Sequence, residues 1–422
     1  MGTNTSAKSA TGALSEWRNY WYLPIAASLG YATAVMFVYS MGPFIEPIQN
    51  EFGWSRAQVS SGITIAALLT AMFSIPMGML VDKVGPRRVG LFGIVLVGMA
   101  MALLGTATGS KANWIFLWCV LALATVWVQA TVWTSAVNSR FESSRGLALA
   151  ITLSGASVGA TVFPILATWL ITSYDWRVAY MAMSGIWIAL VLPVLFFCFR
   201  GAQDQKKSDK QEHQEPAKEL TGLSLKEGLR SPALYKLVMA GGFFGFAAIG
   251  IVVHFVPILK DHGTDPLAAA SIASLIGVFS IIGRLGTGFL LDKFPAHVIG
   301  AIAFVIPILA CGLLLLDGSN PYYQTLAAAI FGLTLGSEVD VIAYLAARYF
   351  GLKNFGALYG AMVMALALGT AFGPLGAGAV FDSYGTYEPF LILTAVLMGL
   401  SAVALLSLSS ARTVDEIAMQ TA

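Results

Sequence analysis

Gly78–Met79–Leu80–Val81–Asp82–Lys83–Val84–Gly85–Pro86–Arg87–Arg88 is a short charged run between two long apolar stretches. A shortened copy, Gly288–Phe289–Leu290–Leu291–Asp292–Lys293, lies 210 residues further on. Gly159 and Gly369, Pro164 and Pro374, and Tyr174 and Tyr384 keep the same offset of 210. A constant offset across half a chain predicts two copies of one unit, each built of several apolar segments.

The composition says where those segments live. Of 422 residues, 57% are hydrophobic and 11% charged, against about 25% charged in soluble domains. Apolar runs of about 20 residues, enough to cross a bilayer as helices, recur along the whole length. Twelve are read: 22–45, 57–81, 88–108, 113–137, 147–172, 179–199, 235–259, 267–291, 297–316, 321–346, 356–381 and 388–411. The expected fold is an all-α polytopic membrane protein of two pseudo-symmetric six-helix bundles. Paired bundles of this kind are a transporter architecture. The expected divisions are a tail 1–21, a bundle 22–199, a linker 200–234, a bundle 235–411 and a tail 412–422. Leu223–Leu229 reads as a short amphipathic helix at the end of the linker. Residues 1–20 are polar, so no cleavable signal peptide is expected. Cys119, Cys198 and Cys311 fall in or at the edge of spans without CxxC spacing, so neither a metal nor a disulfide framework is expected. No P-loop, HExxH or GxSxG in suitable context is seen, which argues against an enzyme, a cofactor or ATP-driven work by this chain.

Lys and Arg set the orientation. With both termini cytoplasmic, 19 of the 24 fall on the cytoplasmic side, four (Arg56, Lys111, Arg177, Lys260) on the other, and Arg284 inside a span. Tight loops suggest a bacterial inner-membrane protein, and a monomer is the expected state. The net charge of +2 suggests no nucleic acid.

Arg284 is the sharpest site candidate. A charge deep in a span costs about 2.5–3.5 kcal/mol on insertion scales unless it meets a cavity or a partner. At helical spacing Gly277, Ser280, Arg284, Thr287 and Gly288 share a face, and a guanidinium matches a carboxylate bidentately. The choice lies between an organic-anion site and a permanent ion pair with the tenth span. That span carries Glu338 and Asp340 at similar depth, as proton carriers or charge partners. His254, within the seventh span, is a substrate or proton candidate. Gln129 and Trp133, with Thr125, form a polar and aromatic stripe in the fourth span, and Tyr31 in the first is read as lining the same site. Gly155–Gly159 and Gly369–Gly373 are small-xxx-small faces for close helix approach.

The Gly78, Asp82, Lys83, Gly85, Arg87 and Arg88 loop resembles the signature loop of the major facilitator superfamily, with Asp292 and Lys293 as its degenerate repeat. The resemblance implies a latch whose ion pairs form and break between states. An Arg beside Gly in the eighth span, followed by Gly288 and Asp292, is similar to the monocarboxylate transporters and oxalate–formate antiporters. So is Glu51–Phe52–Gly53–Trp54–Ser55–Arg56 to bacterial members. In that family the arginine binds the substrate carboxylate, which implies this role for Arg284. The first span has Gly30–Tyr31–Ala32–Thr33 rather than the family's acidic Gly/Trp pattern. The intramembrane Lys of animal members has no counterpart, so proton coupling by that Lys does not carry over.

The expected function is secondary transport of an organic anion, a monocarboxylate or another carboxylate, by alternating access, with proton-coupled uptake and anion exchange both open. A proton-driven exporter and a non-transporting nutrient sensor are the alternatives. Against the exporter, Gly155 and Gly159 are followed late by Pro164, although Gly373–Pro374–Leu375–Gly376 comes closer in the other half.

Overall fold

The computed structural model describes residues 14–202, 222–291, 293–351 and 355–408. Asp292, most of the linker and both chain ends lie outside the described residues, as do the side chains of Asp82, Glu338 and Asp340. The described chain is helical almost throughout, because a lipid-embedded backbone must satisfy its own N–H and C=O groups. A short helix α1 (14–20) precedes α2 (Tyr22–Phe52), α3 (Arg56–Val84), α4 (Pro86–Leu104), α5 (Lys111–Thr125), α6 (Ala130–Asn138), α7 (Arg145–Leu153), α8 (Gly155–Ser173) and α9 (Trp176–Cys198). After the linker come α10 (Leu225–Arg230), α11 (Pro232–Asp261), α12 (Pro266–Leu291), α13 (Ala296–Asp317), α14 (Pro321–Leu335), α15 (Glu338–Phe350), α16 (Phe355–Tyr384) and α17 (Glu388–Leu406).

Among the described residues eleven stretches, counting α5 with α6 and α7 with α8 as one each, are long and apolar enough to cross a membrane. The tenth expected span is the broken pair α14 and α15. Each of the twelve expected segments therefore meets a helix or a helix pair. The amphipathic segment at the linker's end is α10, closed by a capping box in which Ser224 and Glu227 hold each other's amides.

The chain divides into two compact units, one of Met1–Pro47 and Leu69–Lys210, the other of Ile48–Leu68 and Gln211–Ala422. In the first unit a Cβ on Gly155 of α8 would strike the Ser28 carbonyl and Ala32 amide of α2, and one on Gly159 would press Val35. In the second, Gly369 and Gly373 of α16 lie against Gly242, Phe246 and Gly250 of α11 in the same way. Only residues without a side chain allow backbones this close. The second unit's buried apolar residues form two clusters. One gathers Leu237, Phe244, Phe304 and Leu345; the other gathers Phe255, Ile258, Ala270, Phe331 and Phe390.

Candidate functional site

Both units contain a broken span, and the breaks are 210 residues apart. In the first unit α5 gives way to a 3-10 turn at Val126–Val128, and Gln129 leaves helical geometry at φ −60°, ψ 160°. In the second, α14 ends at Leu335, and Gly336 and Ser337 precede α15. The first break leaves helical geometry at Gln129, whereas Gly336 and Ser337 keep right-handed helical dihedrals and bonded amides.

The break in the second unit is packed against Arg284. The α12 face carrying Gly277, Ser280, Gly283 and Thr287 is buried, while Ile282, Leu285 and Phe289 on the opposite face are more than half exposed. Gly283 lies on the backbone of Leu333, and Gly336 lies on the Ser280 carbonyl and the Arg284 amide. Thr287 donates to the Ser337 hydroxyl at 2.6 Å, and Ser337 donates to the Leu333 carbonyl at 2.7 Å. These contacts satisfy the loosened turn and hold the half-buried Arg284 beside the start of α15, the helix that carries Glu338 and Asp340.

In the first unit Gln129 is half-buried and donates to the Thr70 carbonyl at 3.1 Å. Thr70 and Thr125 share a hydrogen bond of 3.0 Å beside it. Trp133 is fully buried; its indole N–H donates to the Val128 carbonyl at 2.7 Å and its ring fills the space left by Gly30 and Gly90. Tyr31 follows Gly30 on α2 and is half-buried. Gln129 and Trp133 thus meet at one break, with Trp133 as the packing element that seats it.

His254 lies elsewhere in the second unit, in a polar cluster built around Arg56. Arg56 begins α3 and is only 7% exposed. Its Nη1 and Nη2 grip Asp261 at 2.6 and 2.9 Å, Nη1 also donates to the Tyr387 hydroxyl at 2.9 Å, and Nε donates to Gln49 at 3.3 Å. The guanidinium lies 3.5 Å from the centre of the Phe381 ring. The backbone amides of Arg56 and Ala57 both donate to the Asp382 carboxylate, at 2.8 and 2.9 Å. Ser55 and Gln58 complete the helix start as a capping box. Gly378 makes the approach possible, since a Cβ there would stand 2.6 Å from the Ala57 nitrogen. His254 is fully buried and reaches the Tyr387 hydroxyl at 2.6 Å, the Pro374 carbonyl at 2.9 Å and the Ser60 hydroxyl at 3.2 Å. Burial raises the Tyr387 phenol well above its ordinary value, so it stays protonated and can donate. Arg56, Asp261, Asp382 and Tyr387 were not singled out as site residues by sequence. The Ser55-x-x-Gln58 capping signature was the one local signal; the partners come from 205 to 331 residues away.

The charged loop ends α3 and starts α4. Gly85 takes φ 93°, which favours glycine, and Pro86 opens α4. Arg87 donates to the Phe196 carbonyl near the end of α9 and lies over the Phe196 ring. Lys83 and Arg88 are exposed, and Gly78 has open space around it. In the repeat, Lys293 lies over Phe289 at 4.0 Å. Beside it opens a cavity of about 420 Å³ lined by His297, Tyr344, Arg348 and Tyr349 among others.

A polytopic helical chain with repeated halves and paired helix breaks is a membrane transporter by architecture. The family model of the Major Facilitator Superfamily matches residues 27–339, and the chain belongs to that superfamily; its family and relatives are transporters, not enzymes. It is 26% identical over 391 residues to a rat (Rattus norvegicus) protein named monocarboxylate transporter 13, covering 91% of this chain and 88% of that one. It is 24% identical over 397 residues to the oxalate:formate antiporter of Oxalobacter formigenes, covering 92% and 91%. Its fold is like that of a D-xylose-proton symporter, with a TM-score of 0.72 at 13% identity over 94% of this chain and 99% of that one.

Proposed function

We propose that this transporter moves an organic anion, a monocarboxylate, by alternating access, and that Arg284 binds the carboxylate. The supporting observation is where Arg284 stands: in the body of α12, beside Gly283, and against the break between α14 and α15. A guanidinium offers a planar fork that fits a carboxylate. Glycine and the loosened turn bring backbone close to it without side-chain bulk. Glu338 and Asp340, which begin α15, balance the charge or carry a proton when the anion is absent. Gln129 and Tyr31 are further candidates for substrate contact. The Gly78–Arg88 loop and Lys293 act at the cytoplasmic ends as the latch, both termini are cytoplasmic, and the protein works as a monomer in a bacterial inner membrane. Relatives named for monocarboxylate and for oxalate and formate support this class of substrate.

The test is uptake by proteoliposomes of labelled short monocarboxylates, dicarboxylates, aromatic acids and a cationic drug, with and without an inward proton gradient. Carboxylate uptake lost in Arg284→Gln is expected. Carboxylate uptake retained by that variant, or movement of the cationic drug alone, overturns the reading.

A further inference from the structure

The hydrogen bonds around His254 run in one direction only. The Pro374 carbonyl can only accept, so His254 Nε2 carries a proton and donates to it, and the Ser60 hydroxyl oxygen, 3.2 Å from the same nitrogen, accepts alongside it. Arg56 can only donate, so the Tyr387 oxygen accepts from Arg56 Nη1. Tyr387 then turns its own proton onto His254 Nδ1, 2.6 Å away, which must be bare. The chain of bonds is therefore complete only with a neutral imidazole.

An added proton on Nδ1 would face the Tyr387 oxygen. That oxygen would then take two cationic donors, from Arg56 and His254, while its own proton lost its acceptor. The surroundings offer no relief. Besides Arg56 from α3, the charged and titratable groups near His254 are Asp261 on α11, Asp382 on α16 and Tyr387 just ahead of α17. Both Asp261 oxygens are held by Arg56, and both Asp382 oxygens by the amides of Arg56 and Ala57. The α12 and α14 residues in the apolar cluster around α11, such as Ala270, Ala273 and Phe331, bring no charge.

We propose that His254 is a proton-binding site that controls the Arg56 clamp: the clamp holds the start of α3 on α11, α16 and α17 while His254 is neutral, and a proton on His254 releases it. The residues clamped, 48–68, are the part of α2 and α3 that packs with the second unit, and α3 runs on from Leu69 as part of the first. On the orientation set by the Lys and Arg distribution, the clamp lies at the outer face. A proton arriving from outside therefore favours opening at that face, and its departure favours closure. The inference rests on the chain being a transporter, not on Arg284 or on the identity of the anion.

Thr64 provides the reporter. It is buried, on the clamped stretch of α3, and donates to the Ala371 carbonyl of α16. In full-length protein with Cys119, Cys198 and Cys311 replaced by Ser, the variant Thr64→Cys is labelled with a maleimide from pH 8 to pH 5, without substrate. Each rate is normalised to the same thiol in detergent-unfolded protein at that pH, which removes the thiolate's own pH dependence. One proton linked to opening changes the open fraction by up to about tenfold per pH unit, so labelling should rise about tenfold or more over the range. With His254→Gln, which cannot take the proton, the rise should vanish. With Tyr387→Phe, which keeps the ring but cuts the bridge to Arg56, it should also vanish. Asp261→Asn should label fast at every pH. The proposal fails if the rise persists in His254→Gln or Tyr387→Phe. It fails equally if Thr64→Cys gives a flat profile, or if Asp261→Asn stays slow.

Discussion

Arg56 and Arg284 are two arginines of one unit in opposite settings. Arg56 begins a helix, is 7% exposed and has its fork filled by Asp261, Tyr387 and Gln49 under an aromatic ring. Arg284 stands within a helix, half-buried, between the glycine contacts at Gly283 and Gly336 and next to a turn that opens the neighbouring span. The first arrangement joins three helices to the start of a fourth. The second brings backbone close to the helix without side-chain bulk. The two arginines thus differ both in burial and in the kind of neighbour.

The sharpest way to break this contrast is to neutralise each arginine and read transport and stability together. Arg284→Gln should cut carboxylate uptake by about 100-fold, the order expected when a charged pair with the substrate is lost, while the melting temperature in detergent moves little. Arg56→Gln should instead lower apparent stability by about 2 kcal/mol. That figure takes the low end for a broken ion pair, because Asp261 is 32% exposed and solvent softens the loss. Equal stability costs at the two positions would erase the distinction.

A smaller effect tests the glycine setting of Arg284. Gly336→Val puts a side chain onto the Ser280 carbonyl and should cost about 1–3 kcal/mol through overpacking. Gly288→Ala, on the same helix as Arg284 but with open space around it, should be neutral or slightly stabilising, since Ala favours helix over Gly by up to about 1 kcal/mol. Thermal melts of both variants decide it. If Gly336→Val matches Gly288→Ala, the close approach does not hold the break in place.

The two arginines also differ in how far they could be read from sequence. Arg284 stood out because a charge in an apolar span is rare and costly. The spans themselves were legible because a bilayer fixes their length and forbids irregular backbone. The 210-residue offset even anticipates that a break at Val126–Gln129 should recur at Gly336–Ser337, although the break itself left no mark in hydropathy. Trp133 shows the limit of reading a stripe: a tryptophan among polar residues looks like a ligand contact until Gly30 and Gly90 are seen beneath its ring. Arg56 was legible only as a loop charge and as the end of the Glu51–Arg56 stretch. Its Asp261, Tyr387 and Asp382 partners converge through tertiary packing, and nothing in local spacing joins residues 56 and 387. The same packing turned His254 from a lone titratable residue in a span into one end of a hydrogen-bond chain.

Asp382 has a counterpart in the first unit that gives the smallest and cleanest effect. Glu16 on α1 accepts from the backbone amides of Glu142, Ser143 and Ser144 and from the Ser144 hydroxyl, at 2.8 to 3.1 Å, just ahead of α7. Asp382 does the same for Arg56 and Ala57 at the start of α3, but beside a guanidinium. Glu16 acts through hydrogen bonds alone. Partial burial works to raise its pKa, yet the bonds from Ser143, Glu142 and Ser144 outweigh it and hold the carboxyl down to about 2 from 4.5. A carboxyl depressed by folding stabilises the fold fully above its unfolded pKa and loses that contribution as the pH falls through the folded one. Glu16→Gln should therefore cost about 0.5–1 kcal/mol near neutral pH, the range for a weakened helix cap, held low by solvent screening. The gap between the wild type and the variant should stay constant down to about pH 5 and close between about pH 4.5 and pH 2. Melting curves over that range read it directly. A gap that persists unchanged at pH 3 would mean that shape rather than charge makes this contact, and would remove the parallel with Asp382.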